Sequence, residues 1–333
     1  MNYAGNISIT QAFWGNKTLT PYNAFVGEYP LLDPVLVPFE IEAIPISGRS
    51  NIADFWLYSV PQGTTIEYSY DNEIWATLTQ GLDIVLDATG VQYPKSVFLR
   101  GNIYNKTNNY DNIGFNAGSV NNGALKVKGN IMYLFDYNNP SRGFVVGKNT
   151  GFETCFMDCP NLVDVSELQL PAKSLYSGHN THWTYNSMFY NCTDLVYAPA
   201  SLDATIIDNG VYNAMFYMCE NLITVPRIEA LTVYDTGGVG CFEYMFYCCS
   251  KITSSPEIKL DVLSSRACYN MFYLCDNLST ITMLASDISA TNCLYRWVEG
   301  VASTGTFYKH PNANIPSGMS GIPEGWTVID KLP

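Results

Sequence analysis

The feature that most constrains this chain is an internal repeat in its second half. Met188-Phe189-Tyr190-Asn191-Cys192-Thr193-Asp194-Leu195 returns as Met215-Phe216-Tyr217-Met218-Cys219-Glu220-Asn221-Leu222. It returns again as Met245-Phe246-Tyr247-Cys248-Cys249-Ser250-Lys251-Ile252 and as Met271-Phe272-Tyr273-Leu274-Cys275-Asp276-Asn277-Leu278. A degenerate copy, Cys155-Phe156-Met157-Asp158-Cys159-Pro160-Asn161-Leu162, opens the series. The closing cysteines, 159, 192, 219, 249 and 275, are 33, 27, 30 and 26 residues apart. Units of this length cannot close a core alone, so they stack and share one.

Within each unit, Tyr185, Met188, Phe189 and Cys192 stand at i, i+3, i+4 and i+7. That spacing predicts a short amphipathic helix with these four side chains inward. The same rule holds for Tyr212/Met215/Phe216/Cys219, Phe242/Met245/Phe246/Cys249 and Cys268/Met271/Phe272/Cys275. A short strand is expected after each helix, at Val196-Tyr197-Ala198-Pro199, Ile223-Thr224-Val225-Pro226 and Thr253-Ser254-Ser255-Pro256. In the last unit Leu294, Trp297 and Val298 replace the usual set, which reads as a cap.

All ten cysteines lie from residue 155 onward, which marks a domain boundary in composition. Their place on the inward stripe reads as free core thiols in preference to disulfides or a zinc site. Charge divides at the same place. Residues 1–150 hold 12 acids and 9 bases, leaving −3, while residues 151–333 hold 18 acids and 8 bases, leaving −10. A field of that sign repels nucleic acid and anionic lipid, so neither is an expected partner. No apolar run of membrane-spanning length occurs. Met1 to Asn6 has neither a basic region nor an apolar core and does not read as a secretory signal.

The repeated Met-Phe-Tyr-x-Cys-x-x-Leu, followed by a Pro-containing strand, resembles the BspA-like leucine-rich repeat family of bacterial surface proteins. The tail, from Ala285-Ser286-Asp287 through Trp297-Val298-Glu299-Gly300 to Gly321-Ile322-Pro323-Glu324-Gly325-Trp326, resembles the C-terminal module of such proteins from gut Bacteroidetes and their phages. The resemblance covers about residues 125–333. It implies a leucine-rich-repeat solenoid and a non-catalytic role in adhesion or recognition. Bacterial relatives carry an export signal that this sequence lacks, whereas phage-encoded relatives built into a particle need none.

Several short β-like runs precede the repeats, at Ile41 to Ile46, Phe55 to Tyr58, Thr65 to Tyr70, Asp83 to Leu86, Ser96 to Arg100 and Leu125 to Lys128. Their spacing predicts a small β-sandwich. Tyr68-Ser69-x-Asp71 followed by Trp75 also fits the hairpin of an Ig-like module that commonly precedes such repeats in the family. Residues 1–39 carry only Lys17, Glu28 and Asp33 as charges, together with seven aromatic residues and four prolines. So apolar a segment either packs on its own sandwich or docks the protein into an oligomer or particle.

The expected organisation is therefore mainly β with short helices. A docking segment at 1–47 and an Ig-like β-sandwich at 48–123 lead into a leucine-rich solenoid at 124–292 and a C-terminal cap at 293–333. The expected ligand-binding residues are Tyr190, Tyr217, Tyr247 and Tyr273, which fall about 150° from the inward stripe and so point outward. A row of exposed tyrosines can stack on sugar rings or bind protein, although neighbouring turns covering them would be the structural alternative. His179 and His182 form a His-x-x-His pair, but two ligands fall short of a metal site and no metal or other cofactor is expected. No nucleophile elbow, phosphate loop or dinucleotide fingerprint occurs, so an enzyme is not expected.

The function this suggests is that of a phage head or tail fibre or decoration protein, assembled in the host cytoplasm and located in the virion. Its partners would be other virion proteins through the N-terminal segment and a host surface glycan or protein through the solenoid. Fibre and spike proteins are commonly trimeric, so a homotrimer is expected. The alternatives are a bacterial cell-surface adhesin whose export signal lies outside this sequence and a polysaccharide-cleaving fibre.

Overall fold

The computed structural model describes residues 12–14, 17–19, 37–103, 112–138, 140, 152–175, 183–235 and 238–333. The protein is mainly β, and the four residues Met132–Phe135 form the only helix among the described residues. In the N-terminal segment, β1 (Ala12–Trp14) and β2 (Lys17–Leu19) pair antiparallel.

Eight further strands build two antiparallel sheets: β3 (Phe39–Ile44), β4 (Ile52–Ser59), β5 (Ile66–Ser69), β6 (Ala76–Thr77), β7 (Asp83–Asp87), β8 (Ser96–Gly101), β9 (Gly114–Asn122) and β10 (Ala124–Asn130). One sheet runs β10-β3-β8-β5-β6 and the other β7-β4-β9. Strand periodicity sets the inner faces: Phe39, Ile41 and Ala43 on β3 and Val97 and Leu99 on β8 are buried at every second position. Phe55, Leu57, Ile84 and Leu86 of the other sheet join the same core. An Asp71-Asn72 turn closes the β5–β6 hairpin. There Asp71 accepts hydrogen bonds from the Ser69 hydroxyl and the Glu73 and Ile74 amides, and Asn72 adopts a φ of 63°.

Two expected boundaries are corrected. Residues 39–44 fall within the expected docking segment, yet β3 lies inside the larger sheet between β8 and β10, and Phe39 is completely buried. Residues 124–130 fall within the expected solenoid, yet β10 completes the sandwich sheet on β3 and on its other side pairs in parallel with Leu162–Asp164 and Leu168–Gln169. One strand is thus shared by both halves. The rest of 1–36 lies outside the described residues.

From residue 152 the chain winds in stacked coils joined by parallel pairing. Ser174–Leu175, Ile206–Asp208 and Thr232–Tyr234 form one ladder, and Ser201–Leu202 pairs with Arg227–Ile228. Ser254–Ile258, Thr280–Met283, Thr306–Lys309 and Thr327–Asp330 form another. In two coils the strand follows the proline instead of preceding it. Pro199 and Pro226 lack an N–H, so the bonding begun before them, as at Val196 to the Val163 carbonyl (2.8 Å), is interrupted and becomes a regular strand pair only beyond them, as at Arg227 to the Ala200 carbonyl (3.0 Å).

The expected helices are absent, and this is the principal correction to the predicted fold. Each Met-Phe-Tyr segment is a run of overlapping turns whose amides alternate in direction. The Met188, Tyr190 and Cys192 amides bond to the carbonyls of residues 185, 187 and 189, whereas the Ser187, Phe189 and Asn191 amides bond to Asn213, Met215 and Tyr217 of the next coil. Every fourth residue is left-handed: Ser187 and Asn191, Ala214 and Met218, Tyr244 and Cys248, then Arg266, Asn270 and Leu274. A four-residue turn period gives i and i+4 the same orientation on successive turns, and i+3 and i+7 likewise. It therefore buries the same four side chains that a helix would.

Stacked coils place like residues over like. A phenylalanine column runs from Phe115 in the sandwich through Phe156, Phe189, Phe216, Phe246 and Phe272 to Trp297, with centroids 5.4–5.9 Å apart. A second column, Phe152, Tyr185, Tyr212 and Phe242, runs beside it at 6.0–6.2 Å. Burial contributes about 1.5–3 kcal/mol per large apolar side chain, and each aromatic pair about 0.5–1.5 kcal/mol more. Leu294, Trp297 and Val298 are buried, Trp297 Nε1 donates to the Gly321 carbonyl (2.8 Å), and the strands Thr306–Lys309 and Thr327–Asp330 carry the ladder on beyond them.

Candidate functional site

The turn geometry decides where the motif tyrosines point. Tyr190, Tyr217, Tyr247 and Tyr273 each follow the buried phenylalanine and precede a left-handed residue, so they leave the core on one face of the stack. All four are half-buried, and the structure brings them into one column. Tyr190–Tyr217 and Tyr217–Tyr247 have centroids 4.6 Å apart, and Tyr247–Tyr273 4.8 Å, with planes within 2°, 6° and 11°. Arg296 closes the far end, its guanidinium 5.1 Å from the Tyr273 centroid.

A second group flanks this column. Tyr244 meets Tyr217, Tyr247 and Tyr269 edge-on at 5.8–6.3 Å, and Tyr269 stacks on Tyr295 at 4.7 Å. Arg266 lies 4.2 Å over Tyr269 and pairs with the buried Glu243. The motif alone does not mark these residues, because Tyr244, Tyr269 and Tyr295 occupy repeat positions held elsewhere by Ala214, Asn213 and Glu243. Sequence reasoning missed them for that reason. Arg266 and Arg296, 30 residues apart, carry no repeat signal either.

This geometry limits what the tyrosines can do. Face-to-face packing at 4.6–4.8 Å leaves no room for a sugar ring between them, so the inner ring faces serve the neighbouring coils. Ring edges and hydroxyls remain for contact, and a phenol both donates and accepts hydrogen bonds. Burial pushes the Tyr217 hydroxyl up to about 12 and raises those of Tyr244 and Tyr247.

Behind the ladder, the motif cysteines are free thiols, nine of the ten buried and Cys248 half-buried. They are also donors, a role that periodicity does not reveal. The thiols of Cys192, Cys219, Cys249 and Cys275 lie 3.0–3.1 Å from the carbonyls of Phe156, Phe189, Phe216 and Phe246 in the preceding coil. The asparagines of the motif act similarly, with Asn221 and Asn277 donating to the Thr193 and Ser250 carbonyls at 2.8 and 2.7 Å.

A half-open groove of about 640 Å³ lies where the sandwich meets the first coils, lined by Val37, Glu40, Lys128, Gln169 and Asp203 among others. Its charges are largely paired, Lys128 with Glu40 and Glu42 and Asp203 with Lys173, and the Gln169 side-chain oxygen is buried without a hydrogen-bond partner. His179 and His182 lie outside the described residues. Among the described residues no helix is long and apolar enough to cross a membrane.

Comparison with known proteins yields no match to any family model, to any curated protein or to any solved structure.

Proposed function

We propose that the protein is a non-enzymatic structural and recognition subunit of a phage particle, in which the tyrosine ladder is a contact surface for a host glycan or protein. In this reading the two-sheet unit is an Ig-like module and the stacked coils are a leucine-rich solenoid of the BspA-like kind. The N-terminal segment docks the subunit to the particle or to other copies. The observation that carries the reading is the row of four half-exposed tyrosines, 4.6–4.8 Å apart, held outward by the same turns that build the coils. Its mechanism is contact without chemistry, made by hydroxyls and ring edges on a rigid face.

The test keeps the stack and removes the hydroxyls. Replacing Tyr190, Tyr217, Tyr247 and Tyr273 together by Phe preserves the ring column. At about 1 kcal/mol per lost hydrogen bond, binding of labelled protein to gut Bacteroidetes cells should fall by roughly tenfold or more. Unchanged binding with an unchanged melting temperature would remove the ladder as the contact surface.

A further inference from the structure

We propose that the tyrosine ladder also pairs side by side with the ladder of a second copy of this chain, the two stacks running antiparallel about a two-fold axis. This rests on the reading of the ladder as a contact surface and names its partner.

The argument is one of register. A partner that touches all four tyrosines must repeat every 4.6–4.8 Å along the stack. An extended peptide laid along the ladder repeats its same-face side chains about every 6.6 Å and loses step after the first rung. A stack of in-register strands repeats at about 4.7–4.9 Å and stays in step across all four. A second copy of this chain is such a stack, with identical spacing and no accumulated mismatch.

The chemistry of the row is also self-complementary. A phenol hydroxyl donates one hydrogen bond and accepts others, so two facing rows can zip, which rows of carboxylates or ammonium groups cannot do. Neutral tyrosines give a chain of net charge −13 a face on which two copies can approach. Polarity selects the antiparallel arrangement. Arg296, held in a two-point ion pair by Glu299, closes the ladder beyond Tyr273. The exposed Asp158, whose side chain is hydrogen-bonded only to the Asn191 side-chain amide at 2.8 Å, lies at the Tyr190 end, so the two ends differ and the negative end has no cation of its own among the described residues. A two-fold axis between the Tyr217 and Tyr247 rungs brings the Arg296 end of each copy to the Asp158 end of the other, while parallel pairing would set like ends together. The contact is then isologous, as closed dimers are.

Sedimentation velocity on the full chain over a concentration series tests this. The wild type should form a reversible dimer. The four-Phe protein should dimerise at least tenfold more weakly, and Tyr247→Glu, which sets two carboxylates near the axis, should remain monomeric. A wild type that stays monomeric throughout overturns the proposal, as does a dimer indifferent to both variants. Cell binding separates the two readings. If the wild type is monomeric yet its cell binding still needs the hydroxyls, self-pairing alone fails. If neither association needs them, the contact-surface reading fails as well.

Discussion

Cysteine closes each motif because the site asks for a small, apolar side chain with one donor. Serine would bring a shorter arm and a more strongly solvated hydroxyl, and alanine would leave the phenylalanine carbonyl without its extra partner. Burial raises the buried thiols, the motif's Cys192 and the neighbouring column's Cys241 to about 12 from an ordinary value of 9, and Tyr217 rises to about 12 from 10. A group whose folded value is raised gives stability that is complete below its unfolded value and is lost as pH rises through the folded one. The fold should therefore weaken progressively from pH 9 to about 12. Thermal melts followed by circular dichroism across that window check it, and a melting temperature flat to pH 12 would contradict it. The inward set at this scale was readable from spacing alone. The thiol hydrogen bonds were not, since they depend on which carbonyl the neighbouring coil presents.

At the scale of the element, the turn run explains both the success and the failure of the sequence reading. Tyr185, Met188, Phe189 and Cys192 satisfy a helical period of 3.6 and a turn period of four equally well over eight residues. The distinguishing signal was the recurrence of Asp158, Asn191 and Asn270 at left-handed positions, since Asn and Asp tolerate that conformation better than other side chains. Met218, at φ 59°, occupies the place that Asn191 fills one coil earlier. Met218→Asn should therefore stabilise the protein by about 0.5–1 kcal/mol through relief of backbone strain. A denaturant midpoint that moves down would show that Met218 packing outweighs it. Phe216 makes the converse case: with rings 5.5 and 5.4 Å away on either side, Phe216→Ala should cost about 3–5 kcal/mol.

At the scale of the molecule, composition marks a division near residue 155 and the repeat pattern starts the coils at 124, and neither reveals that one strand serves both sides. β10 reads as an ordinary amphipathic strand, and only its pairing shows that it carries the sandwich sheet into the coils. Arg49 on the sandwich adds a 2.7 Å ion pair to Asp194 in the second coil. A chain starting at Val37 should accordingly keep one calorimetric transition for both halves. A chain starting at Gly48 removes β3 from the sheet interior and should lose the fold of the sandwich; retention of its near-ultraviolet signal would show β3 to be dispensable. The coils carry one more consequence. Between the four tyrosines the steps vary from 26 to 30 residues while the ring spacing varies only from 4.6 to 4.8 Å, so length differences are absorbed outside the motif. The connecting arcs are thus sites where foreign sequence can be grafted, presenting new chemistry at fixed height on an unchanged frame.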